Sequence, residues 1–241
     1  IRRLFEPGEG YAYLVSADYS QIELRLLAHL AGDERMIEAF LHEEDIHART
    51  ASEVFGVPLS EVTPELRRHA KAVNFGIVYG ISDFGLAKNI GISRKEAATY
   101  IAQYFARYPK VKQFLDRTVE KAHESGTVTT MFGRRRALPA IHSPNFHQRS
   151  LAERMAMNTP IQGSAADIIK LAMIAGEEKL RQAHFKSRIL LQVHDELVVE
   201  TTAAEAKEVQ EILKTVMEGI VSLSVPLVVD VHIGKNWADA K

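Results

Sequence analysis

Cysteine is missing from all 241 residues. Its absence excludes disulfides, thiolate nucleophiles and cysteine-based zinc sites. Charge imbalance is missing too: 30 Lys and Arg stand against 31 Asp and Glu, a net charge of −1, so a nucleic-acid partner must be held by a local basic surface. No apolar run approaches the ~18 residues of a spanning helix, and no signal-peptide pattern opens the chain. The first residue is Ile1 rather than Met, and Tyr11 to Ala17 is already strand-like, which reads as a piece of a longer chain. Repeats of roughly 20 to 50 residues and low-complexity tracts are lacking, which excludes a solenoid or a disordered tail. The ten histidines form no HExxH pair, so zinc hydrolysis has no support. Gly80 to Gly85 has the gap of a phosphate loop but continues Leu86-Ala87 instead of Lys and Ser or Thr. Asp83-Phe84-Gly85 spells a kinase tripeptide without the loops that accompany it.

What is present is enough apolar residue, 46%, to bury a substantial core in one large domain or two small ones. The organising stretch is Ile189 to Glu200, ILLQVHDELVVE, two strand-forming runs meeting at a turn that carries His194, Asp195 and Glu196. Carboxylates beside an apolar sheet are costly to desolvate unless paired, hydrogen-bonded or bound to a cation, so the hairpin suggests a metal site. A solvated acidic turn is the other reading of the same residues.

Near the start, YAYLVSA predicts a strand ending at Asp18, and helical spacing begins at Ser20 and stops at Gly32. Asp33 and Asp45 are expected to cap helices running to Leu41 and Phe55, and Thr63-Pro64 to start one reaching about Tyr79. Gly80 and Gly85 bracket a loop or break. Ser93 with Glu96 forms a capping box for a helix to Arg107, and another helix follows over Val111 to Glu124. A short two-strand excursion surrounds Gly133. Helices are then expected over Arg149 to Met157 and Gln162 to Ala183, separated at Thr159-Pro160 because proline removes a ladder donor. After the hairpin, Thr202 with Glu205 predicts a second capping box for a helix to about Val221, and LVVDVHI supplies a last strand before Trp237. The order gives a sheet from both chain ends with a largely helical insertion. Such a sheet would bring Asp18 near Asp195, as a two-metal site with ions ~3.5 to 4 Å apart requires of oxygen ligands.

Arg67, Lys71, Phe75 and Tyr79 fall four residues apart, so they form a slowly drifting stripe on one helix face, cationic at one end and aromatic at the other. That surface suits a nucleotide, with phosphate oxygens on the cations and base or sugar on the rings. A solvated basic turn followed by core aromatics explains the same residues.

DYSQIELR at Asp18 to Arg25, RRHAKAVNFGIVYG at Arg67 to Gly80 and QVHDE at Gln192 to Glu196 resemble, in order, the three polymerase motifs of family A DNA polymerases. DIHARTA at Asp45 to Ala51 and RMAMNTPIQGSAADIIK at Arg154 to Lys170 are also similar to the family, so the resemblance covers essentially the whole chain. It implies an α+β fold in which an antiparallel palm sheet from both chain ends carries a large, mostly helical fingers insertion. Palm would comprise residues 1–28 and 149–241, fingers 29–148, with the thumb and upstream domains lying outside this chain.

The implied activity is that of a DNA-directed DNA polymerase, a nucleotidyltransferase using two Mg²⁺ ions, with Mn²⁺ as a substitute. Its partners would be primer-template DNA and deoxynucleoside triphosphates, with no membrane, and it would act as a monomer in a bacterial cytoplasm, nucleoid-associated. Asp18, Asp195 and the Tyr19 carbonyl would hold the metals, with Glu196 nearby and less essential. Arg67, Lys71 and His47 would grip the triphosphate, and Lys71 would protonate the departing pyrophosphate. Glu23 would exclude ribonucleotides, Gln21 would lie beside the nucleotide, Phe75 would stack on the incoming sugar and base, and Tyr79 would stand at the template position. Phe75, where some relatives carry Tyr, is linked by the resemblance to poorer use of nucleotides lacking a 3′-hydroxyl. Arg154, Asn158, Gln162 and His194 would contact the duplex minor groove, where donors test pair geometry without reading sequence. Arg134 to Arg136 could touch phosphates or be plain solvated surface. Two other readings stand beside the polymerase core: a catalytically weak nucleotide- or DNA-binding fragment, and a metal phosphohydrolase that would leave the Arg67 to Tyr79 stripe unexplained.

Overall fold

The computed structural model describes every residue from Ile1 to Lys241. The class is α+β, and the strands of the four-stranded sheet come from the two ends of the chain as the residue pattern predicts. In chain order they are β1 (Tyr13–Tyr19), the short pair β2 (Thr127–Thr129) and β3 (Arg135–Ala137), then β4 (Arg188–Val193), β5 (Glu196–Thr201) and β6 (Val229–Gly234). The helices are α1 (Ile22–Ala31), α2 (Glu34–Leu41), α3 (Ile46–Phe55), α4 (Pro64–Val78), α5 (Asp83–Ile90), α6 (Arg94–Arg107), α7 (Pro109–Ser125), α8 (Phe146–Gln182) and α9 (Ala206–Gly219). Two compact units result: residues 1–22 with 165–241, and residues 23–164. The boundaries of these units lie inside α1 and α8.

In the first unit the sheet order is β4-β5-β1-β6, antiparallel throughout. Central β5 is buried at every position, which explains why ELVVET lacks the alternation of a half-exposed strand, while edge strand β4 does alternate. Helix α9 turns Val209, Leu213 and Met217 inward, and the Tyr19 hydroxyl donates to the Met217 carbonyl at 2.7 Å. Leu14, Val198, Trp237 and Ala240 form a separate apolar cluster in this unit. The segment after β6 folds back at Gly234, where any Cβ would lie 2.4 Å from the Ala240 nitrogen. Only glycine permits that approach.

Among residues 23–164, local signals set the helix starts as expected. Asp33, Asp45, Thr63 and Ser93 each accept a backbone N–H from the first turn, and Ser93 with Glu96 makes the full capping box. Ala122, Val128, Leu138, Ile141, Ala152 and Ala156 form one apolar core.

Three expectations need correction. Gly80 to Gly85 is not simply a break: Ser82 caps α5 by accepting from Gly85 N at 3.1 Å, so Gly85 lies inside a helix that ends at left-handed Gly91. Pro160 does not divide the long helix, and α8 runs 37 residues through it. Buried Ala152, Ala156, Ser164, Ile168 and Ala172 continue one stripe on both sides of it, and that burial outweighs the roughly 3 kcal/mol an interior proline costs. Thr159 and Ser164 hydroxyls bond back to the Met155 and Pro160 carbonyls. The second capping box is absent. Glu205 itself sits at the N-cap of α9 without a side-chain cap, because its carboxylate accepts from the Lys186 and Ser187 backbone N–H groups and the Ser187 hydroxyl instead.

Candidate functional site

Strand register sets two aspartates side by side in the first unit. Asp18, near the end of β1, lies opposite Glu196 at the start of β5, and Tyr19 N donates to the Asp195 carbonyl at 3.1 Å. Asp195 itself occupies the two-residue loop between β4 and β5. Burial first, then the Asp195 charge, raise the Asp18 pKa above the usual carboxylate range, and the Lys241 ammonium offsets part of this. Asp18 Oδ1 is buried and accepts no hydrogen bond, while Oδ2 faces Lys241 Nζ at 3.5 Å. A desolvated anionic oxygen beside a second carboxylate is unfavourable unless a cation joins it.

Strain gathers at the same place. Gln21 (φ 56°) and His194 (φ 54°) adopt left-handed backbone, one just after the Asp18 strand and one just before Asp195. Each such non-glycine residue costs roughly 1–3 kcal/mol and persists only where surrounding contacts impose it. Gln21 Oε1 is also buried without a partner. His194 is exposed, and its carbonyl accepts from Gln192 Nε2 at 2.8 Å.

Glu196 differs from its neighbour in sequence. Its Oε1 accepts from the Ser16 hydroxyl at 2.5 Å and Trp237 Nε1 at 2.6 Å, and its Oε2 faces Lys241 Nζ at 3.2 Å. Burial alone would raise its pKa, but the donors Ser16, Trp237 and Lys241 outweigh it and hold the carboxyl below its ordinary value. Both of its oxygens are thus committed within the unit. Ser16, Trp237 and Lys241 were missed in the sequence; the lone tryptophan was its only visible trace.

No three His, Cys, Asp or Glu side chains cluster to hold a metal by themselves. Asp18 and Asp195 do fit a divalent cation of the Mg²⁺ kind, which takes one or two carboxylates and completes its shell with water and substrate phosphates. The uncommitted, buried Asp18 oxygen is the observation that makes the fit.

The second unit carries the helical stripe. Arg67, Lys71 and Phe75 line up on α4, with Tyr79 at its C-cap and Lys71 Nζ 5.9 Å from the Phe75 ring centre. Arg67 Nε donates to Asp45 Oδ2 at 2.6 Å, and Asp45 Oδ1 caps α3. Asp45 was foreseen as a cap and not as the partner of Arg67. Burial works to raise the Asp45 pKa, yet the Arg67 bond and the backbone donors bring it below the ordinary value. His47 is buried against Phe75, their ring centres 5.9 Å apart. Burial, then the Arg67 and Lys71 charges against the opposing charge of Asp45, lower its pKa to about 4.

Tyr79 OH donates to Glu23 at 2.9 Å to Oε2. Gly80, left-handed at φ +64°, follows it; a Cβ there would come within 2.7 Å of Met157 Cε. Lys71, Phe75, Tyr79 and Arg154 line one open cavity of ≈ 620 Å³. Because α8 is unbroken, Arg154, Asn158 and Gln162 share a face at four-residue spacing, a continuity not foreseen. Arg154 and Gln162 are exposed, and Asn158 Nδ2 donates to the Val78 carbonyl at 3.4 Å. Arg134 and Arg136 bond to Gly163 O and Thr159 Oγ1 of α8, which gives them structural partners.

A family description, DNA polymerase family A, matches residues 1–239. DNA polymerase I of Caldicellulosiruptor bescii is 58% identical across the whole chain, which spans 28% of that protein. The corresponding enzyme of Geobacillus stearothermophilus is 56% identical, again with 28% of its length covered, and that of Pseudomonas aeruginosa 52%, with 26% covered. A solved structure described as the POL domain of Pol1 from M. smegmatis, in complex with DNA primer-template and dNTP, superimposes with a TM-score of 0.95 at 49% identity. All of this chain and 42% of that one are covered.

Proposed function

The chain belongs to DNA polymerase family A, and from that premise we propose that it is the catalytic core of a template-directed DNA polymerase. It would add deoxynucleoside triphosphates to a primer 3′ end by attack of the 3′-oxygen on the α-phosphate, with pyrophosphate leaving. The observation that carries this reading is the Asp18–Asp195 pair, whose mutual repulsion and unpartnered buried oxygen call for a cation. Asp18, Asp195 and the Tyr19 carbonyl would hold Mg²⁺, which when bound neutralises developing charge on the reacting oxygens.

The other roles belong to the chain's own groups. Arg67, released from Asp45, would exchange that carboxylate for phosphate oxygens, and His47 and Lys71 would bind beside it. Lys71, exposed and carrying dissociable protons, would hand one to the leaving pyrophosphate. Phe75 would stack on the incoming sugar and base. Glu23, held by the Tyr79 hydroxyl, would crowd the sugar 2′ position, while Gln21 would lie beside the nucleotide and Tyr79 at the template. Arg154, Asn158, Gln162 and His194 would supply minor-groove contacts, most readily Arg154 and Gln162, whose side chains are exposed. Glu196 would act by fixing the strand beside Asp18, since its oxygens already have partners.

The chain covers 28% of its C. bescii relative, which favours a second reading, a nucleotide- and DNA-binding portion that is catalytically weak alone. Primer extension with Mg²⁺, run beside calorimetric nucleotide binding, separates the two. Extension abolished by Asp195→Ala with nucleotide binding kept supports the polymerase. No extension by the parent chain, with binding intact, supports the weaker fragment, and parental extension by the variant refutes the metal assignment.

A further inference from the structure

Behind the stripe lies a polar chain whose two inner members, Thr50 and Asn74, have no role in the reading above. Thr50 and Asn74 are both fully buried, and His47 is nearly so. The Thr50 hydroxyl donates to Asn74 Oδ1 at 3.1 Å, and Asn74 Nδ2 lies 3.0 Å from His47 Nδ1. His47 and Thr50 sit three apart on α3, one helix-surface step, while Asn74 reaches them from α4 beside Phe75.

We infer that Asn74, backed by Thr50, is a positioning residue that holds His47 as its Nε2–H tautomer, so that His47 meets an anionic oxygen as a neutral hydrogen-bond donor. The inference rests on the reading of His47 as a triphosphate ligand. With the amide turned so that its NH₂ faces the ring, it has protons to give and no lone pair to offer, and Nδ1 is then the acceptor. In a neutral imidazole the proton then resides on the other nitrogen, Nε2. Burial, with Arg67 and Lys71 nearby, opposes a charged ring, and Asp45 only partly counters them. The reverse chain, with the amide oxygen on an Nδ1–H, would leave Nε2 with a lone pair that repels phosphate. Holding the proton on Nε2 thus adds a donor beside the two cations without placing a charge on a buried ring.

The test is long-range ¹H–¹⁵N correlation on the full chain with ¹⁵N-labelled histidine, at pH 7, for the parent, Thr50→Val and Asn74→Leu, with and without a dNTP. The parent should show a protonated Nε2 and a bare Nδ1; a protonated Nδ1, or an imidazolium, overturns the inference. Both variants should show a mixture of tautomers and bind the dNTP about threefold to tenfold more weakly. Thr50→Val loses one hydroxyl and serves if Asn74→Leu does not fold. Variants that keep the pure Nε2–H form deny Asn74 its positioning role. A parent with the expected tautomer but no His47 shift on adding dNTP leaves the lock intact and overturns only the triphosphate role.

Discussion

Glu196 is the residue at which a structural and a chemical role can be told apart most cleanly, because Trp237, the chain's one tryptophan, donates to it at 2.6 Å. Glu196→Ala removes the acceptor for Ser16 and Trp237 and the partner of Lys241, leaving an indole N–H buried with nothing to bond. Losing charge-assisted bonds and stranding a buried donor should lower folding stability by about 3–5 kcal/mol. Glu196→Gln keeps an oxygen for Ser16 and Trp237 and loses the charge and the acceptor that face Lys241, so its cost should be about 1–2 kcal/mol. Urea unfolding followed by tryptophan fluorescence reads both changes, and the native emission reports the indole environment directly. The folded carboxyl lies below its ordinary pKa, so its contribution is present above the unfolded-state pKa and fades as pH falls through the folded one. In acid the parent and Glu196→Gln should therefore converge. Equal destabilisation by Gln and Ala, or a loss under about 1 kcal/mol for Ala, would refute the anchoring role, and Glu196 would have to be reconsidered as a direct participant.

Gly80→Ala forces a Cβ into left-handed backbone and against Met157 Cε, and should cost about 1–3 kcal/mol in denaturant unfolding, with a neutral result denying the strain. His47 has a folded pKa of about 4, below its unfolded value, so the unfolded chain binds the proton first and stability should drop as pH falls from about 6.5 towards 4. His47→Gln should flatten that part of the stability–pH curve, and an unchanged slope would show that His47 does not titrate as described.

Much of the fold was legible because its signals are local. Asp33, Asp45, Thr63 and Ser93 announced helix starts with atoms two or three residues away, and the four-residue spacing of Arg67 to Tyr79 needed only a helix to become a stripe. Glu205 shows where such signals fail: a capping carboxylate is also the best acceptor for the turn at Lys186 and Ser187, and the tertiary partner won. Pro160 failed for a related reason, since stripe burial on both sides of it is invisible to a rule about one missing donor. Asp18 and Asp195 could be paired in advance because both flank strands of one sheet. The partners of Glu196 could not, because a close approach at Gly234 folds the chain end onto β5 and brings Trp237 and Lys241 there. Asn74 escaped notice because a polar residue within an apolar helix run has no pattern of its own.

Cation sharing between Asp18 and Asp195 is the claim on which the rest depends, and Mn²⁺ titration by electron paramagnetic resonance measures it without requiring turnover. Asp18→Ala, Asp195→Ala and the double variant should each lose tight Mn²⁺ binding to the same extent, because removing either aspartate already dismantles a shared site. Mn²⁺ binding that survives both single substitutions, or losses that simply add, would mean that the two carboxylates do not hold a common ion.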